Sequence, residues 1–269
     1  RQGFRRVSKL TSNFFCYNYL MNLIKTESFQ LATYSQGDSE SKKLALVLPG
    51  KLDTKDYFHM KSHVKYLAIM GYFALSFDPP GTWESKGDIK LYNVTNYIKA
   101  INELIKYYGN KPTFVMGHSR GGSMAILAGT TNPNITSFAS IMSHLYHKGY
   151  RNGAGEEWKK KGYIVSTRDL PPGGGPKEKR FELPYSFFED QIRYDMTESL
   201  KKSTKPKLFI YGKRDVLVPP QAVKDAYSLA SQPKELYELD SEHDYRYNPK
   251  SIEEVNNVLG DFLQKYYLL

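Results

Sequence analysis

Cysteine is almost absent. Cys16 is the single one in 269 residues, so no intrachain disulfide can form and stability must come from a packed core. Its neighbours Phe14, Phe15 and Tyr17 suit a small buried hydrophobe better than a reactive thiol. No Cys/His set has zinc-finger spacing, and no metal or cofactor is expected. No apolar run of about 18 residues exists, which removes a membrane-spanning helix. Acidic residues are outnumbered, giving a net charge of +10. The basic residues are scattered as Arg5-Arg6, Lys42-Lys43, Lys159 to Lys161, Lys177 to Arg180 and Lys201-Lys202. No helix-turn-helix or RNA-binding signature accompanies them, so they read as a solvated surface and no nucleic-acid partner is expected. No basic-plus-apolar secretory leader opens the chain, and the expected location is cytoplasmic. The first residue is Arg1 rather than Met, which reads as a trimmed or partial N-terminus. There is no internal repeat. Nothing in the sequence speaks to oligomeric state.

What the chain does have is apolar material, 40% of residues with 22 Tyr and 14 Phe, enough for a sizeable core. Residues 1 to 40 are the least regular, with Phe29 to Tyr34 roughly alternating as an edge strand. Leu44 to Leu48 is a continuous apolar run, the mark of a strand buried on both faces of a parallel sheet. Helical spacing of Met60, Val64, Leu67 and Ala68 follows over residues 55 to 70. Gly71 to Phe77 is the next strand, and residues 91 to 107 the next helix, with Val94, Ile98, Ile101, Leu104 and Ile105 on one face. Thr113 to Met116 is a third strand, the run from Ser123 a helix, and Ser137 to Met142 a fourth strand. The alternation implies a doubly wound, mostly parallel α/β sheet. Residues 144 to 204 interrupt it with Trp158, Tyr163, Phe181, Tyr185, Phe187, Phe188, Tyr194 and the tract Pro171-Pro172-Gly173-Gly174-Gly175-Pro176. That tract can be neither helix nor central strand, and the stretch reads as a lid inserted in a single domain. The alternation resumes with strand Lys207 to Tyr211, helix Pro220 to Ala230 opened by proline, short strand Leu236 to Leu239 and an amphipathic helix over Ile252 to Leu263.

The third strand runs into Gly117-His118-Ser119-Arg120-Gly121, a G-x-S-x-G pentapeptide between strand and helix. A serine hydroxyl needs a base and a site for a developing oxyanion to act as a nucleophile. A sharp turn presents it clear of its surroundings, and glycine is required where a side chain would strike neighbouring backbone. In a doubly wound sheet functional groups gather at the C-terminal ends of strands. Asp215 follows the Lys207 strand, His243 follows the Leu236 strand, and Pro49-Gly50-Lys51 follows the Leu44 strand.

With these residues in place, the chain resembles the α/β-hydrolases. Gly117 to Gly121 matches their nucleophile elbow, Gly212-Lys213-Arg214-Asp215-Val216-Leu217-Val218-Pro219 their G-x-x-D-x-x-V-P acid loop, and the order Ser, Asp, His agrees. The match runs from about residue 44 to the C-terminus outside the lid, and is most similar to compact bacterial serine esterases and related acyl hydrolases. The resemblance implies Ser119 as nucleophile, His243 as general base and then acid, and Asp215 as the group that orients the imidazole. It also implies an oxyanion hole from the backbone N–H groups of Arg120 and Lys51. The family usually has His-Gly where Pro49-Gly50 stands, so the donor is either Lys51 or Leu52. The implied activity is hydrolysis of small carboxylic-ester or acyl substrates through an acyl-enzyme. A peptidase or aminopeptidase, a thioesterase, a lipid-chain hydrolase, and a non-catalytic ligand-binding relative are the alternatives.

Other polar residues invite weaker readings. Asp244 is the competing acid, but it adjoins His243 and cannot easily reach its ring. The Arg120 side chain reads as structural or substrate-facing. His59 and His63 are four apart, as zinc pairs are, but no Glu lies between them and no third ligand is evident. They read as ordinary helix residues, and so do His144 and His147. Trp83, Trp158, Phe187 and Phe188 are the candidate substrate-binding aromatics; those of the lid line a pocket or form the lid's own small core.

Overall fold

The run Leu44–Leu48 has no polar side chain, so neither face of a strand built from it can meet water. In the computed structural model it is a fully buried strand. Its side chains alternate as strand geometry requires. Leu44, Leu46 and Leu48 enter one hydrophobic cluster, and Ala45 and Val47 enter another on the opposite face. The structure describes residues 22–145, 154–171 and 178–266. Cys16, His147, Lys177 and the Pro172 to Pro176 part of the Pro/Gly tract lie outside the described residues.

The elements in chain order are β1 (Asn22–Lys25), β2 (Gln30–Gln36), β3 (Leu44–Leu48), α1 (Phe58–Ile69), β4 (Phe73–Phe77), α2 (Val94–Tyr107), β5 (Thr113–His118), α3 (Arg120–Thr131), β6 (Ile135–Ile141), α4 (Ala154–Lys161), β7 (Tyr163–Asp169), β8 (Glu178–Pro184), α5 (Tyr185–Gln191), α6 (Thr197–Lys202), β9 (Lys207–Gly212), α7 (Pro220–Leu229), β10 (Lys234–Leu239) and α8 (Pro249–Tyr266). Eight strands form one sheet in the order β1-β2-β4-β3-β5-β6-β9-β10. From β4 to β10 every pairing is parallel, while β2 runs antiparallel to both β4 and β1. The doubly wound, mostly parallel α/β expectation therefore holds. The edge-strand reading of Phe29 to Tyr34 does not. The four residues of β1 cover β2 on its outer side, and a segment that short and polar carries little periodicity from which to foresee it.

Helices cover both faces. Val94, Tyr97, Ile101, Leu104 and Ile105 of α2 and Met124, Ala125 and Ala128 of α3 pack on the Leu44 side. Met60, Val64 and Leu67 of α1 and Ile252, Val255, Leu259, Phe262 and Leu263 of α8 pack on the Val47 side. Caps fit the sequence: the Asn93 side chain accepts from Asn96 N–H at the start of α2, which satisfies one of the otherwise unpaired first-turn donors.

Between β6 and β9 the chain leaves the sheet for α4, the antiparallel pair β7–β8, α5 and α6. The aromatics of this excursion do not make a core of their own. Trp158, Phe187 and Phe188 are 2%, 1% and 9% exposed, and they join the cluster that holds Leu52, Tyr92 and the α2 face. The Phe187 ring stacks on Tyr92 at 5.3 Å and on Trp158 at 6.1 Å. The excursion is thus bonded to the body by buried apolar surface.

Where β3, β5 and α3 meet, backbone approaches backbone without room for a side chain. A Cβ on Gly121 would lie 2.0 Å from the Leu48 carbonyl oxygen and 2.7 Å from that of Pro49. No rotamer relieves contact with backbone, and overpacking of this kind costs about 1–3 kcal/mol or more. Gly121→Ala is therefore expected to lower the urea-unfolding free energy by at least about 2 kcal/mol, read by far-ultraviolet circular dichroism; an unchanged midpoint would contradict this packing.

Candidate active site

Ser119 sits between the last residue of β5 and the first of α3 with φ +53° and ψ −121°, a conformation that side-chain-bearing residues rarely adopt. The surroundings hold it there. Ser119 N–H donates to the Ile141 carbonyl of β6 at 2.8 Å. A Cβ on Gly117 would meet the Gly121 carbonyl carbon at 2.2 Å, and one on Gly122 would meet Ser143 Oγ at 1.9 Å. The turn can close only with glycine at these places, and it leaves the serine hydroxyl half-buried at the rim of the sheet.

The residues singled out in the later strands arrive at the same point. Ser119 Oγ is 2.9 Å from His243 Nε2. His243 Nδ1 lies 2.8 Å from Asp215 Oδ2. Asp215 is buried, and its other oxygen accepts the N–H groups of Leu217 and Val218 at 2.9 and 2.8 Å, so its carboxylate cannot rotate away. Asp244 is turned elsewhere and pairs with Arg246 at 3.5 Å. A neutral imidazole whose Nδ1–H is held by a carboxylate presents a lone pair at Nε2, the arrangement needed to take a hydroxyl proton.

The turn after β3 lies beside this row. Leu52 has φ +59°, and its N–H donates to Tyr92 Oη at 2.9 Å. Lys51 N–H meets no acceptor among the described residues, while its carbonyl accepts from Arg168 Nε at 2.9 Å. Arg120 turns its side chain away from the hydroxyl: it donates to Gln191, and its guanidinium lies 4.3 Å from the Phe187 ring centre. Trp83, at φ +48°, donates from Nε1 to the Leu52 carbonyl at 2.8 Å and packs edge-on against Phe181 at 5.5 Å. Of the candidate aromatics, Trp83 thus reaches the turn after β3 and Phe187 the start of α3, while Trp158 packs against Phe187 and Phe188.

Electrostatics here are dominated by burial. The Lys51 ammonium is pushed down to about 8, first by desolvation and then by the positive charges of Arg120 and Arg168. Asp53, which pairs with Arg168 at 3.3 Å, is pushed up to about 6, with desolvation the larger cause and Arg168 and Arg246 pulling back. Burial holds His59 and His118 well below the usual histidine range, and lowers His63 to about 4 against the opposing hydrogen bond that its Nδ1–H donates to Asn256 Oδ1.

Some participants carry no signal in the sequence. His118 Nε2–H donates to the His243 main-chain carbonyl at 2.9 Å, and the two rings lie 4.8 Å apart. Asp53, Tyr92 and Arg168 brace the turn after β3 through contacts between residues far apart in the chain, which spacing alone does not reveal. The side chain of His144 reaches the Leu217 backbone in the acid loop.

The chain matches no protein-family model. The lysophosphatidylserine lipase ABHD12 of Danio rerio is 25% identical over 254 residues, covering 86% of this chain. The chain spans 60% of that relative's length. Among solved structures, Est1E from Butyrivibrio proteoclasticus with bound ferulic acid has a TM-score of 0.71 at 17% identity, over 92% of this chain and 100% of that one. The α/β hydrolase GrgF from Penicillium sp. sh18 has a TM-score of 0.75 at 16% identity, over 92% and 98%. The chain has the fold of these α/β hydrolases.

The Lys51 shift can be measured directly. Because folding disfavours the charged amine, Lys51 should lose its proton as pH rises through about 8, whereas in the unfolded chain it does so near 10.4. Competitive acetylation read by mass spectrometry should return the lower value, and Arg120→Gln should move it upward. A native value above 10 would contradict the arrangement.

Proposed function

We propose that this protein is a serine hydrolase that cleaves carboxylic esters through an acyl-enzyme, with Ser119, His243 and Asp215 as its triad. The observation that carries the reading is the hydrogen-bonded row from Ser119 Oγ to His243 Nε2, 2.9 Å, and from His243 Nδ1 to Asp215 Oδ2, 2.8 Å. Three strand ends far apart in sequence supply it. His243 takes the Ser119 proton as the oxygen attacks the substrate carbonyl, and passes it to the departing alkoxide. A water, deprotonated by the same imidazole, then releases the acid. Asp215 holds the ring in the productive tautomer and stabilises its cationic form.

The backbone N–H groups of Arg120 and Lys51 are the proposed oxyanion donors. The bond between Leu52 N–H and Tyr92 favours Lys51 over Leu52. Loss of one such donor typically costs about 3–4 kcal/mol in the transition state. The excursion between β6 and β9 is read as the lid, packed on the body through Phe187 against Arg120 and Phe181 against Trp83. A cytoplasmic location fits the single cysteine. The name of the Danio rerio relative and the ferulic acid bound to Est1E both favour ester substrates.

Two tests follow. Ser119→Ala should abolish fluorophosphonate labelling and reduce hydrolysis of short p-nitrophenyl esters by about 10⁶-fold in kcat, and Asp215→Asn by about 10⁴-fold. Full labelling of the Ser119→Ala protein would sink the proposed nucleophile, and no adduct on wild type would favour a ligand-binding protein. A matched panel of ester, thioester and aminoacyl amide should rank the ester first by kcat/KM; a leading amide or thioester would redirect the reading to a peptidase or thioesterase.

A further inference from the structure

Beneath the Ser119 row lies a second group of polar side chains that the proposed chemistry does not use. One carboxylate oxygen of Asp53, one ring nitrogen of His59 and one of His118 lie within 4.8 Å of one another, and all three residues are buried. His59 has no exposed surface, yet neither its Nδ1 nor its Nε2 has a hydrogen-bond partner. The Nδ1 of His118 also has none. Buried polar atoms are ordinarily paired, so unpaired nitrogens on two buried rings that each bring one nitrogen to the same small volume as a carboxylate oxygen point to a ligand.

The spacing of His59 and His63 suggests a pair on α1, but the structure divides them. His63 is satisfied, with Nδ1 2.6 Å from Asn256 Oδ1 and Nε2 2.8 Å from Tyr245 Oη. His59 instead faces Asp53, from the turn after β3, and His118, the last residue of β5. The third ligand missing from the local sequence is supplied by the fold.

The donors fit one chemistry. His118 Nε2–H is committed to a main-chain carbonyl, which fixes the tautomer and leaves the lone pair on Nδ1. Metal-ligating histidines are held in this way, and the Asp53 carboxylate is itself held by an ion pair with Arg168 at 3.3 Å. The nearby Arg246 cation pairs with Asp169 at 2.8 Å and lies 3.5 Å from Asp244, while its Nε has no hydrogen-bond partner and its charge also acts on Asp53, His59 and His118. Two imidazoles and a carboxylate suit a divalent transition metal, zinc above all. With bonds of about 2.0–2.2 Å, tetrahedral ligand atoms stand about 3.4 Å apart, so binding draws these side chains inward.

We propose that Asp53, His59 and His118 form a site for a divalent transition metal of the zinc type, with water as the fourth ligand. The ion ties together the turn after β3, the first turn of α1 and the end of β5. The proposal does not rest on the hydrolase reading. It is tested on the whole chain, stripped with chelator and dialysed against Zn²⁺, with metal measured by emission spectrometry, Co²⁺ absorption and melting temperature. Wild type should bind one zinc per chain, give the visible bands of a four-coordinate Co²⁺ site and melt higher with zinc than without. His59→Gln and Asp53→Asn should each weaken binding by more than the roughly 10- to 100-fold that follows loss of a ligand's hydrogen-bond partner, and lose the melting shift while keeping the apo circular dichroism spectrum. If one of them fails to fold, the other decides. His63→Gln should still bind. Substoichiometric zinc on wild type, equal binding by both ligand variants, or loss of binding in His63→Gln alone would each overturn the site.

Discussion

The candidate site depends on how closely the backbone of α3 approaches the ends of β3 and β5. A helix that starts immediately after a strand must turn within one residue, and Ser119 is that residue. Its φ of +53° is costly for a residue with a Cβ, on the order of 1–3 kcal/mol, and it persists because the packing around it permits nothing else. Gly117 and Gly121 pass each other where any side chain would overlap backbone, and Gly121 abuts the Leu48 carbonyl. The same contact fixes the turn after β3 against the start of α3. The strain at Ser119 and the packing of the turn after β3 against the start of α3 are therefore a single constraint.

Around that constraint the excursion acts as a brace. Its β7 contributes Arg168 to the Lys51 carbonyl and Asp169 to the Tyr57 hydroxyl at 2.8 Å. Its α5 contributes Phe187 to Tyr92 and to the Arg120 guanidinium, and Asp190 to Thr95 N–H at 3.0 Å. Each contact reaches a residue within or next to the turn after β3, the first turn of α2, or the start of α3. Cations also gather here: Lys51, Arg120 and Arg168 are close enough for the last two to depress the first.

The sheet was legible because its strands are extreme. A strand with both faces covered is poor in polar residues, and Leu44–Leu48 has none and Phe73–Phe77 only Ser76, so their number and spacing settle the alternation. The row of Ser119, Asp215 and His243 was legible because each residue follows the C-terminal end of a strand in a short motif. The cover of β2 by β1 was not, since four residues bearing one lysine and one asparagine look like any turn-flanked segment. Nor were the contacts of Asp53, Tyr92, Arg168 and His118, which join residues separated by tens of positions. His59 and His63 show the limit most plainly: the helical period places them one turn apart, yet only packing against Tyr245 and Asn256 on one side, and Asp53 and His118 on the other, separates their roles.

His118 links the two groups of polar residues. It precedes Ser119, it is the last residue of β5, and its Nε2–H holds the carbonyl of His243. His243 is thereby gripped at three atoms from three directions: the main-chain oxygen by His118, Nδ1 by Asp215 and Nε2 by Ser119. A loop residue anchored only through its side chain could swing on its backbone; one anchored at the carbonyl as well cannot. The imidazole that grips it is itself buried and held neutral, so it can donate from only one nitrogen. Whatever occupies the other nitrogen sets how firmly the first is oriented, and so the order of the cluster below is passed through one ring to the geometry of the row above.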